Sequence, residues 1–352
     1  MNSIQDWLKL AIEKKTSDIF LGAGRAISFK IDGIIRKEDK VLTRDESSEM
    51  VNALFELGGR EIDKFLANGD DDFSITLPGV ARFRVSAYHQ RGSIAAVIRA
   101  VPFGLPDFQD LGITNEVMKI ADEKNGLVLV TGPAGSGKTT TLACIIDAIN
   151  KSRAGHIITL EDPIEFLHRD DKCLVSQREV SSDTISYVTA LKACLRQAPD
   201  IILLGEMRDQ ETIEIAMTAA ETGHLVISTL HTIGAASTID RIVDAFPPQQ
   251  QPQVRLQLSM SLKTVVSQQL LPKIDGGSAP AFEIMHMNPA ISNLVREAKS
   301  HQIDNAIQTS AGAGMIGMDA YILNLFKKGT ITKQTAVSDA VNPVQMARLV
   351  GL

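Results

Sequence analysis

Gly132-Pro133-Ala134-Gly135-Ser136-Gly137-Lys138-Thr139 is the stretch of the sequence that decides the fold. It matches the pattern G-x-x-x-x-G-K-[ST] at every fixed position, it follows an apolar segment and it precedes a helical pattern, which is the context in which this motif binds phosphate. Its glycines let several backbone N–H groups face one point, and the helix that follows directs the positive end of its dipole there. We therefore predict that these eight residues and Thr140 bind the phosphates of a nucleoside triphosphate.

Two side chains of this loop have specific predicted roles. Lys138 places a positive charge at the β- and γ-phosphates, and the hydroxyl of Thr139 is a ligand for Mg²⁺. The expected ligands are thus ATP and Mg²⁺. The alternative, a chance glycine-rich turn, does not account for the strand, the Lys-Thr pair and the helix in their order.

Apolar strands alternate with helical patterns around the motif. We predict strands at 127–130, 156–160, 201–204 and 225–228, and helices at 139–150, 185–196, 210–222 and 235–243. Near-continuous apolar strands that alternate with helices favour a mostly parallel sheet with both faces covered. The expected fold class is therefore α/β.

The pattern changes again in the last third of the chain. From residue 253 onward the spacing predicts a helix, and the residues that carry this spacing are Leu258, Leu262, Val265, Val266 and Leu270. Beyond Pro289 we predict a small bundle of helices. We find no internal repeat.

Residues 1–100 mix short alternating segments with helix-like stretches. The apolar spacing predicts a helix at 4–12, a strand–turn–strand at 27–35 around Asp32-Gly33, and a hairpin around Gln90-Arg91-Gly92. The acidic run Asp70-Asp71-Asp72 is predicted to be a solvated turn. Pro102, Gly104 and Pro106 indicate a linker, so we expect domains at 1–100 and 113–352 joined by residues 101–112.

Composition excludes several classes of protein. Hydrophobic residues make up 44% and the net charge is −6, so the chain is neither disordered nor basic enough to bind nucleic acid chiefly by counterion release. No window approaches 18 consecutive apolar residues, the N-terminus lacks the features of a signal peptide, and three cysteines are too few for a disulfide framework. We expect a soluble cytoplasmic protein.

Carboxylates follow two of the predicted strands. A triphosphate hydrolase needs acids at the carboxyl ends of strands near the phosphate loop to hold the metal and orient water. Glu161 and Glu165 follow the strand at 156–160, and Glu206 follows the strand at 201–204 after Gly205, where related motifs have Asp. Glu206 is predicted to serve the metal or the water, and Glu165 is the other candidate for the water. A turn at Asp162-Pro163 and surface charge at Glu161 and Glu165 remain alternatives.

Two histidines flank the strand predicted at 225–228. His224 precedes it and His231 follows it, so His231 is placed at the carboxyl end, where a γ-phosphate or a neighbouring subunit lies within reach. Two histidines alone are too few ligands for a metal site. Both are candidate catalytic residues, with an ordinary core or surface histidine as the alternative.

The motifs taken together resemble those of the secretion and type IV pilus ATPases. The loop 132–139 corresponds to the family's Walker A motif, and three further boxes follow in the family's order. They are the Asp box at 158–166, the Walker B segment at 205–209 and the His box at 220–232, with supporting matches at 176–180 and 195–200. The resemblance covers almost the whole chain.

Within that family the sequence is most similar to the pilus retraction branch. Its N-terminal domain is short, and its three scattered cysteines cannot form the four-cysteine zinc insert that is common in extension and secretion ATPases. Residues 290–297 resemble the C-terminal retraction motif Ala-Ile-Arg-Asn-Leu-Ile-Arg-Glu and depart from it at Ser292 and Val295.

The resemblance implies a fold, an assembly and partners. The fold is a PAS-like α+β N-terminal domain followed by a RecA-like P-loop domain and a C-terminal helical bundle. The assembly is a hexameric ring of identical subunits that hydrolyses ATP to drive pilus disassembly, and Arg82, Arg84 and Arg99 of the N-terminal domain reach the phosphates. The implied partners are an inner-membrane pilus platform protein and other pilus ATPases, with no nucleic acid. The implied location is the inner face of the cell membrane at the pilus base.

Three other functions remain open at this point. A secretion or pilus-extension ATPase shares the family's chemistry. A RecA-like nucleic-acid motor is disfavoured because aromatic residues make up 5% and no Lys/Arg cluster occurs. A regulatory protein that binds nucleotide without hydrolysis is disfavoured because all the expected acids are present.

Overall fold

The computed structural model describes residues 3–31, 33–101 and 104–351, which form two units. One unit comprises Met1–Gly104 and Glu165–Leu167, and the other comprises Leu105–Ile164 and His168–Leu352. Asp32 of the predicted turn and Pro102 of the predicted linker lie outside the described residues. The domain limits that we drew at residues 100 and 112 stay a prediction.

The N-terminal unit is an antiparallel sheet with helices. The helices are α1 (Ile4–Glu13), α2 (Arg44–Leu57) and α3 (Asp63–Asn68), and the strands are β1 (Asp18–Gly22), β2 (Ala26–Ile31), β3 (Ile34–Val41), β4 (Asp70–Leu77), β5 (Ala81–Gln90) and β6 (Ser93–Val101). The strand order is β3-β2-β1-β6-β5-β4. Its core contains the fully buried rings of Phe29, Phe55, Phe65 and Phe83.

Three local predictions for this unit are confirmed. Helix α1 begins after Ser3, whose side chain forms a capping box with Asp6. Strands β2 and β3 pair as predicted, and β5 and β6 form a hairpin in which Gln90 lies opposite Ser93. Arg91 and Gly92, which connect the hairpin strands, both have positive φ, as a tight two-residue turn requires.

The prediction of a turn at Asp70-Asp71-Asp72 is wrong. These residues open β4 and pair with residues 86–88 of β5, and the carboxylate of Asp71 also lies 3.2 Å from the guanidinium of Arg60. Acidic residues have low strand propensity, but the partner strand supplies the backbone hydrogen bonds here and outweighs that propensity.

The C-terminal unit contains a mostly parallel sheet covered by helices. Its strands are β7 (Gly126–Thr131), β8 (Gly155–Glu161), β9 (Cys173–Glu179), β10 (Ile201–Leu204), β11 (Leu225–Leu230), β12 (Leu262–Pro272) and β13 (Ser278–His286). Its helices are α4 (Asn115–Met118), α5 (Lys138–Ser152), α6 (Tyr187–Cys194), α7 (Gln210–Glu221), α8 (Ala235–Asp244), α9 (Gln251–Ser261), α10 (Pro289–Arg296), α11 (Ile303–Thr309), α12 (Met318–Lys327), α13 (Lys333–Ser338) and α14 (Pro343–Leu349).

The topology of this sheet gathers the predicted site at one edge. The strand order is β13-β12-β7-β11-β10-β8-β9, and all neighbours are parallel except β12 and β13. Every residue of β7, β10 and β11 is buried, as expected for a sheet covered on both faces. Because parallel strands end at the same edge, the loops after β7, β8, β10 and β11 lie side by side.

The helix predicted from residue 253 ends earlier than expected. Helix α9 ends at Ser261, and residues 262–270 belong to β12, so the helical prediction for Leu262, Val265, Val266 and Leu270 is wrong. Val265 packs into the core on one face of the sheet and Val266 into the core on the other. A strand with both faces buried has no alternation, and its apolar residues imitate helical spacing.

The helical tail beyond Pro289 is confirmed, and it packs in two groups. Helices α10 and α11 bury residues such as Ile291 and Ile307 against the main core, whereas α12–α14 surround a small separate core that includes Leu271 and Ala281 of the β12–β13 hairpin. In the described ranges no helix is both long enough and apolar enough to cross a membrane.

Candidate nucleotide site

The loop between β7 and α5 packs directly on β12. Gly132 has φ +143° and Gly137 has φ +86°, values that side chains disfavour. A methyl group on Gly132 would lie 2.1 Å from the carbonyl oxygen of Gln268, and one on Gly137 would lie 2.9 Å from Nε2 of the same residue. Glycine is therefore required at both positions for the loop to lie against the strand.

Lys138 begins α5 and folds back over the loop. Its side chain is 8% exposed, and Nζ donates hydrogen bonds to the carbonyl oxygens of Gly132 (2.8 Å) and Pro133 (2.9 Å). Burial lowers the pKa of Lys138, while the nearby carboxylate of Glu206 opposes this shift. The ammonium group thus lies at the mouth of the loop, with the half-buried Thr139 and Thr140 beside it in the first turn of α5.

The loop fits a bound phosphate chain. Helix α5 has 15 residues, and its N-cap residue Gly137 supplies no side-chain hydrogen bond, so the first N–H groups of the helix are directed toward the loop. The hydroxyl of Ser136 is buried and has no hydrogen-bond partner among the residues that the structure describes. Pro133, Ala134 and Gly135 form the exposed rim. The loop therefore suits an anion, because it offers several hydrogen-bond donors and no side chain caps the start of the helix.

Gln268 supports the loop from β12, and sequence reasoning missed it. Its side chain is 2% exposed, Nε2 donates to the carbonyl oxygen of Ser136 (2.7 Å), and Oε1 accepts from the hydroxyl of Thr141 (2.8 Å). The residue lies in the segment that we predicted as helix, where nothing marked it as a partner of a loop more than 130 residues away.

Glu206 lies between two nitrogen donors at the end of β10. Its Oε1 is 2.6 Å from the guanidinium of Arg208, and its Oε2 is 3.3 Å from Nε2 of His231. The Glu206 side chain is 14% exposed. The structure therefore brings together Glu206, His231 and Lys138, three residues predicted separately from the sequence, and adds Arg208, which was visible only as part of the Walker B segment.

Glu161 is the buried acid at the end of β8. Its Oε1 accepts from the hydroxyl of Thr159 (2.6 Å) and from Nε2 of Gln177 (3.2 Å). Tyr187, the first residue of α6, reaches the gap between the ends of β8 and β10. Burial raises the pKa of Tyr187, and the carboxylates of Asp162, Glu206 and Glu161 raise it further, so the phenol stays protonated.

The remaining predicted site residues lie elsewhere. Glu165 is exposed and groups with the N-terminal unit. In that unit Arg84 on β5 lies directly opposite Arg99 on β6, as the predicted hairpin requires, and Arg82 lies two residues before Arg84 on the same face. Nε of Arg99 donates to Asp18 (2.9 Å). The roles of these four residues toward a nucleotide stay predictions.

His224 lies at the opposite end of β11 from His231. Its Nδ1 is 3.0 Å from the carbonyl oxygen of Ala219, and six strand residues, roughly 20 Å of extended chain, separate it from the edge that carries Glu206. The structure thus does not bring His224 to the phosphate loop of its own subunit, and its predicted role is untested.

Comparison with known proteins identifies the family. Residues 1–318 match the family model described as type II/IV secretion system protein. This chain belongs to that family. It is 45% identical over 344 residues to the type IV pilus retractation ATPase PilT of Pseudomonas aeruginosa, which covers 97% of this chain and 98% of the relative. It is also 46% identical over 307 residues to a twitching motility protein of Neisseria gonorrhoeae, covering 87% and 82% of the two chains.

Among solved structures, the family fold is matched closely. The pilus retraction motor PilT, solved with bound ADP, has a TM-score of 0.91 and 44% identity, covering 99% of this chain and 100% of the other. The predicted fold class, a PAS-like unit followed by a RecA-like P-loop unit and C-terminal helices, is therefore confirmed. So is the predicted resemblance to the retraction branch of the family.

The site provides few protein ligands for a metal. Among the residues that the structure describes, no group of three or more His, Cys, Asp or Glu side chains is placed to hold an ion. Mg²⁺ is commonly bound by one or two protein oxygens together with substrate phosphates and water. The assignment of Thr139 on α5 and Glu206 at the end of β10 as its protein ligands stays a prediction.

Proposed function

We propose that this chain is an ATPase that hydrolyses ATP to power retraction of a type IV pilus, the process that produces twitching motility. The observation that carries the proposal is the convergence of the 132–139 loop, Lys138 and the Glu206–His231 pair at one edge of the parallel sheet. Nearly full-length similarity to two proteins named for pilus retraction and twitching supports the specific task.

Substrate binding is assigned to the loop and the start of α5. The loop amides and the helix dipole hold the β- and γ-phosphates, and Lys138 exchanges its carbonyl partners for phosphate oxygens when ATP binds. Mg²⁺ held by Thr139 and Glu206 would neutralise charge on the phosphates. Since phosphoryl transfer needs little covalent chemistry from the protein, positioning and charge supply most of the catalysis.

A carboxylate orients the attacking water. Glu206 is suited to this task because Arg208 and His231 hold its two oxygens at the edge where the loop lies. Glu165 remains the other candidate for the water, with Glu206 then serving the metal. Glu161, buried and hydrogen-bonded by two side chains, supports the same edge of the sheet.

Coupling of hydrolysis to movement is assigned to His231 and the arginines of the N-terminal unit. His231 contacts Glu206 and is itself about half exposed, so it can respond to the γ-phosphate. Arg82, Arg84 and Arg99 would neutralise transition-state charge only when the units close, which makes closure depend on nucleotide state. Residues 101–112 would act as the hinge.

The assembly and partners form part of the same proposal. The working unit is a homohexameric ring at the inner face of the cell membrane, in the cytoplasm at the pilus base. It would transmit work to the inner-membrane platform protein and act beside other pilus ATPases. Nucleic acid is not proposed as a partner, because the chain is acidic overall.

The sequence and packing of helix α10 favour a role in retraction over one in extension or secretion. Ile291 and Val295 anchor this helix in the core, and the Ser292 hydroxyl donates to the carbonyl oxygen of Ser259 (2.7 Å). Asn293 and Arg296 of the retraction-like motif remain exposed. Ser292, where the motif has arginine, is therefore used to hold α10 against α9, while the exposed part of the motif is retained.

Deletion of the gene tests the proposed task. Cells without it should keep their surface pili but fail to twitch, and the wild-type gene should restore twitching whereas a Glu206→Gln copy should not. Loss of the pili themselves would assign the chain to extension, and loss of a secreted protein would assign it to secretion. Either result would contradict the proposal.

A further inference from the structure

A buried amide group connects the phosphate loop to the strand beside it. Gln268 is the residue of β12 that donates to the Ser136 carbonyl and accepts from Thr141, so both halves of its amide are used. Thr141 lies one helical turn into α5 and is fully buried. One side chain thus joins the last part of the loop, the helix that follows it and the strand on which both rest.

The donated hydrogen bond determines which way the loop carbonyl faces. Ser136 O points to Nε2 of Gln268, so this oxygen is held on the β12 side of the loop. A peptide's C=O and N–H point in opposite directions, which leaves the neighbouring N–H groups free to face the phosphate side. A carbonyl turned toward the phosphates would instead repel them.

Gln268 is buried and packs closely against two glycines of the loop. Its backbone carbonyl lies against Gly132 and its Nε2 lies against Gly137, so closely that a Cβ on either glycine would clash. Gln268 therefore contacts the loop through its backbone carbonyl and through Nε2 of its side chain. Its backbone is fixed in β12, which pairs with β7 through Ser267 opposite Thr131.

The neighbouring residue holds a second loop of the same site. Successive strand residues face opposite sides of a sheet. The hydroxyl of Ser267 accepts from the N–H of Gly234 (2.9 Å), in the segment that follows His231. Glu283, which lies opposite Ser267 on β13, accepts from the next N–H, that of Ala235 (2.8 Å). Strand β12 therefore holds the phosphate loop and the His231 loop at adjacent positions.

We propose that Gln268 is a positioning residue for ATP binding and hydrolysis: it orients the Ser136 carbonyl and so sets the direction of the phosphate-binding amides. The inference rests on the proposed ATPase function and adds to it a residue outside the loop. Gln268 itself has no assigned contact with the nucleotide. It acts through the loop backbone. Strand β12, which carries Gln268, also supports the segment that follows His231.

Thr141→Val provides the matched control for the decisive variant. It removes the hydroxyl that donates to Oε1 of Gln268 and leaves the bond to Ser136 in place. In the double variant Thr141→Val/Gln268→Met, the side chain at position 268 keeps a similar length but cannot donate a hydrogen bond to the Ser136 carbonyl. Because residue 141 is valine, no buried hydroxyl is left without a partner. The difference between these two proteins isolates the bond that orients the loop, without adding charge.

The measurements are ADP affinity, ATPase kinetics and the thermal midpoint of each purified protein. Relative to Thr141→Val, the double variant should bind ADP about tenfold more weakly and show a comparable loss of kcat. The reason is that a misdirected loop loses about one hydrogen bond to the charged phosphates. Thermal midpoints of the two should agree within a few degrees. Equal ADP affinity and equal kcat in the two proteins would overturn the proposal.

A second pair of variants covers the case in which the double variant does not fold. Gln268→Glu keeps the acceptor for Thr141 and replaces the donor to Ser136 by an oxygen, and Gln269→Glu adds the same charge one residue away on the other face of β12. ADP binding should weaken more than tenfold in the first and change less than threefold in the second. Equal losses in both would assign the effect to charge and overturn the proposal. Failure of the unsubstituted protein to bind ADP would instead contradict the proposed function itself.

Discussion

The hydroxyl of Tyr187 fills the space that a side chain at position 205 would need. A methyl group built on Gly205 would lie 2.8 Å from this hydroxyl and 3.2 Å from the carbonyl oxygen of Leu160. This contact explains why the residue before Glu206 is glycine, although related motifs have Asp there. The space beside Gly205, where the paired strands β8 and β10 end, is occupied by a tyrosine instead of a second carboxylate.

Replacing Gly205 by Ala should destabilise the protein by about 1–3 kcal/mol, the usual cost of overpacking a closely packed site. Chemical denaturation measures this loss. Adding Tyr187→Phe removes the closest atom and should restore part of the stability lost. A Gly205→Ala protein as stable as the wild type, or one that Tyr187→Phe does not improve, would contradict this account of the contact.

Replacing Glu206 by Gln should stop turnover while nucleotide still binds. The amide cannot accept a proton from water or neutralise Arg208, and general acid–base roles contribute about 10²–10⁴-fold to rate. Phosphate release and ADP binding are measured side by side. Glu211→Gln, an exposed acid paired with Lys192, is the matched control and should behave as wild type. If Glu206→Gln lost nucleotide binding together with turnover, the residue would have a mainly structural role.

Replacing His231 by Ala should lower kcat about tenfold, because one of the two groups that hold the Glu206 carboxylate is removed. The affinity for ADP should change little, since His231 contacts Glu206 and not the loop. His301→Ala, at an exposed histidine in the C-terminal helices, serves as the control. An unchanged kcat would exclude His231 from the hydrolysis step.

The buried Glu283 makes stability depend on pH. Burial raises its pKa above the ordinary value of 4.5, although the N–H groups of Ala235 and Met318 oppose the shift. Between 4.5 and the raised value the Glu283 carboxyl binds more protons in the folded protein than in the unfolded chain, so its contribution to stability falls as pH rises through this window.

Comparison with Glu283→Gln isolates this effect, because the other titrating groups are shared and cancel. The thermal midpoint of the wild type minus that of the variant should be greatest near pH 4.5 and should decrease toward neutral pH. A difference that stays constant, or that grows as pH rises, would show that burial does not disfavour the charged carboxylate.

The phosphate loop could be predicted from sequence because its chemistry is contiguous. Lys138 and the glycines are adjacent in the chain, and the strand before them and the helix after them are local patterns. Glu206 and His231 were found for a related reason: each directly follows an apolar strand, and parallel strands end at the same edge.

Gln268 and Tyr187 could not be found in this way, because only the folded chain brings them to the site. Gln268 lies in a strand with both faces buried, whose apolar spacing predicted a helix. Tyr187 begins a helix and reaches the ends of two paired strands. Neither position carries a sequence pattern of its own, and their partners lie in other segments of the chain.

We propose above all that the 132–139 loop binds the ATP that this chain hydrolyses. Phosphate release by the purified protein with ATP and Mg²⁺ tests it most directly, with Lys138→Ala compared against Lys151→Ala, an exposed lysine of the same helix that pairs with Asp147. The wild type and Lys151→Ala should release phosphate at the same rate, and Lys138→Ala should be slower by at least about 100-fold. Equal rates for Lys138→Ala and the wild type would contradict the claim.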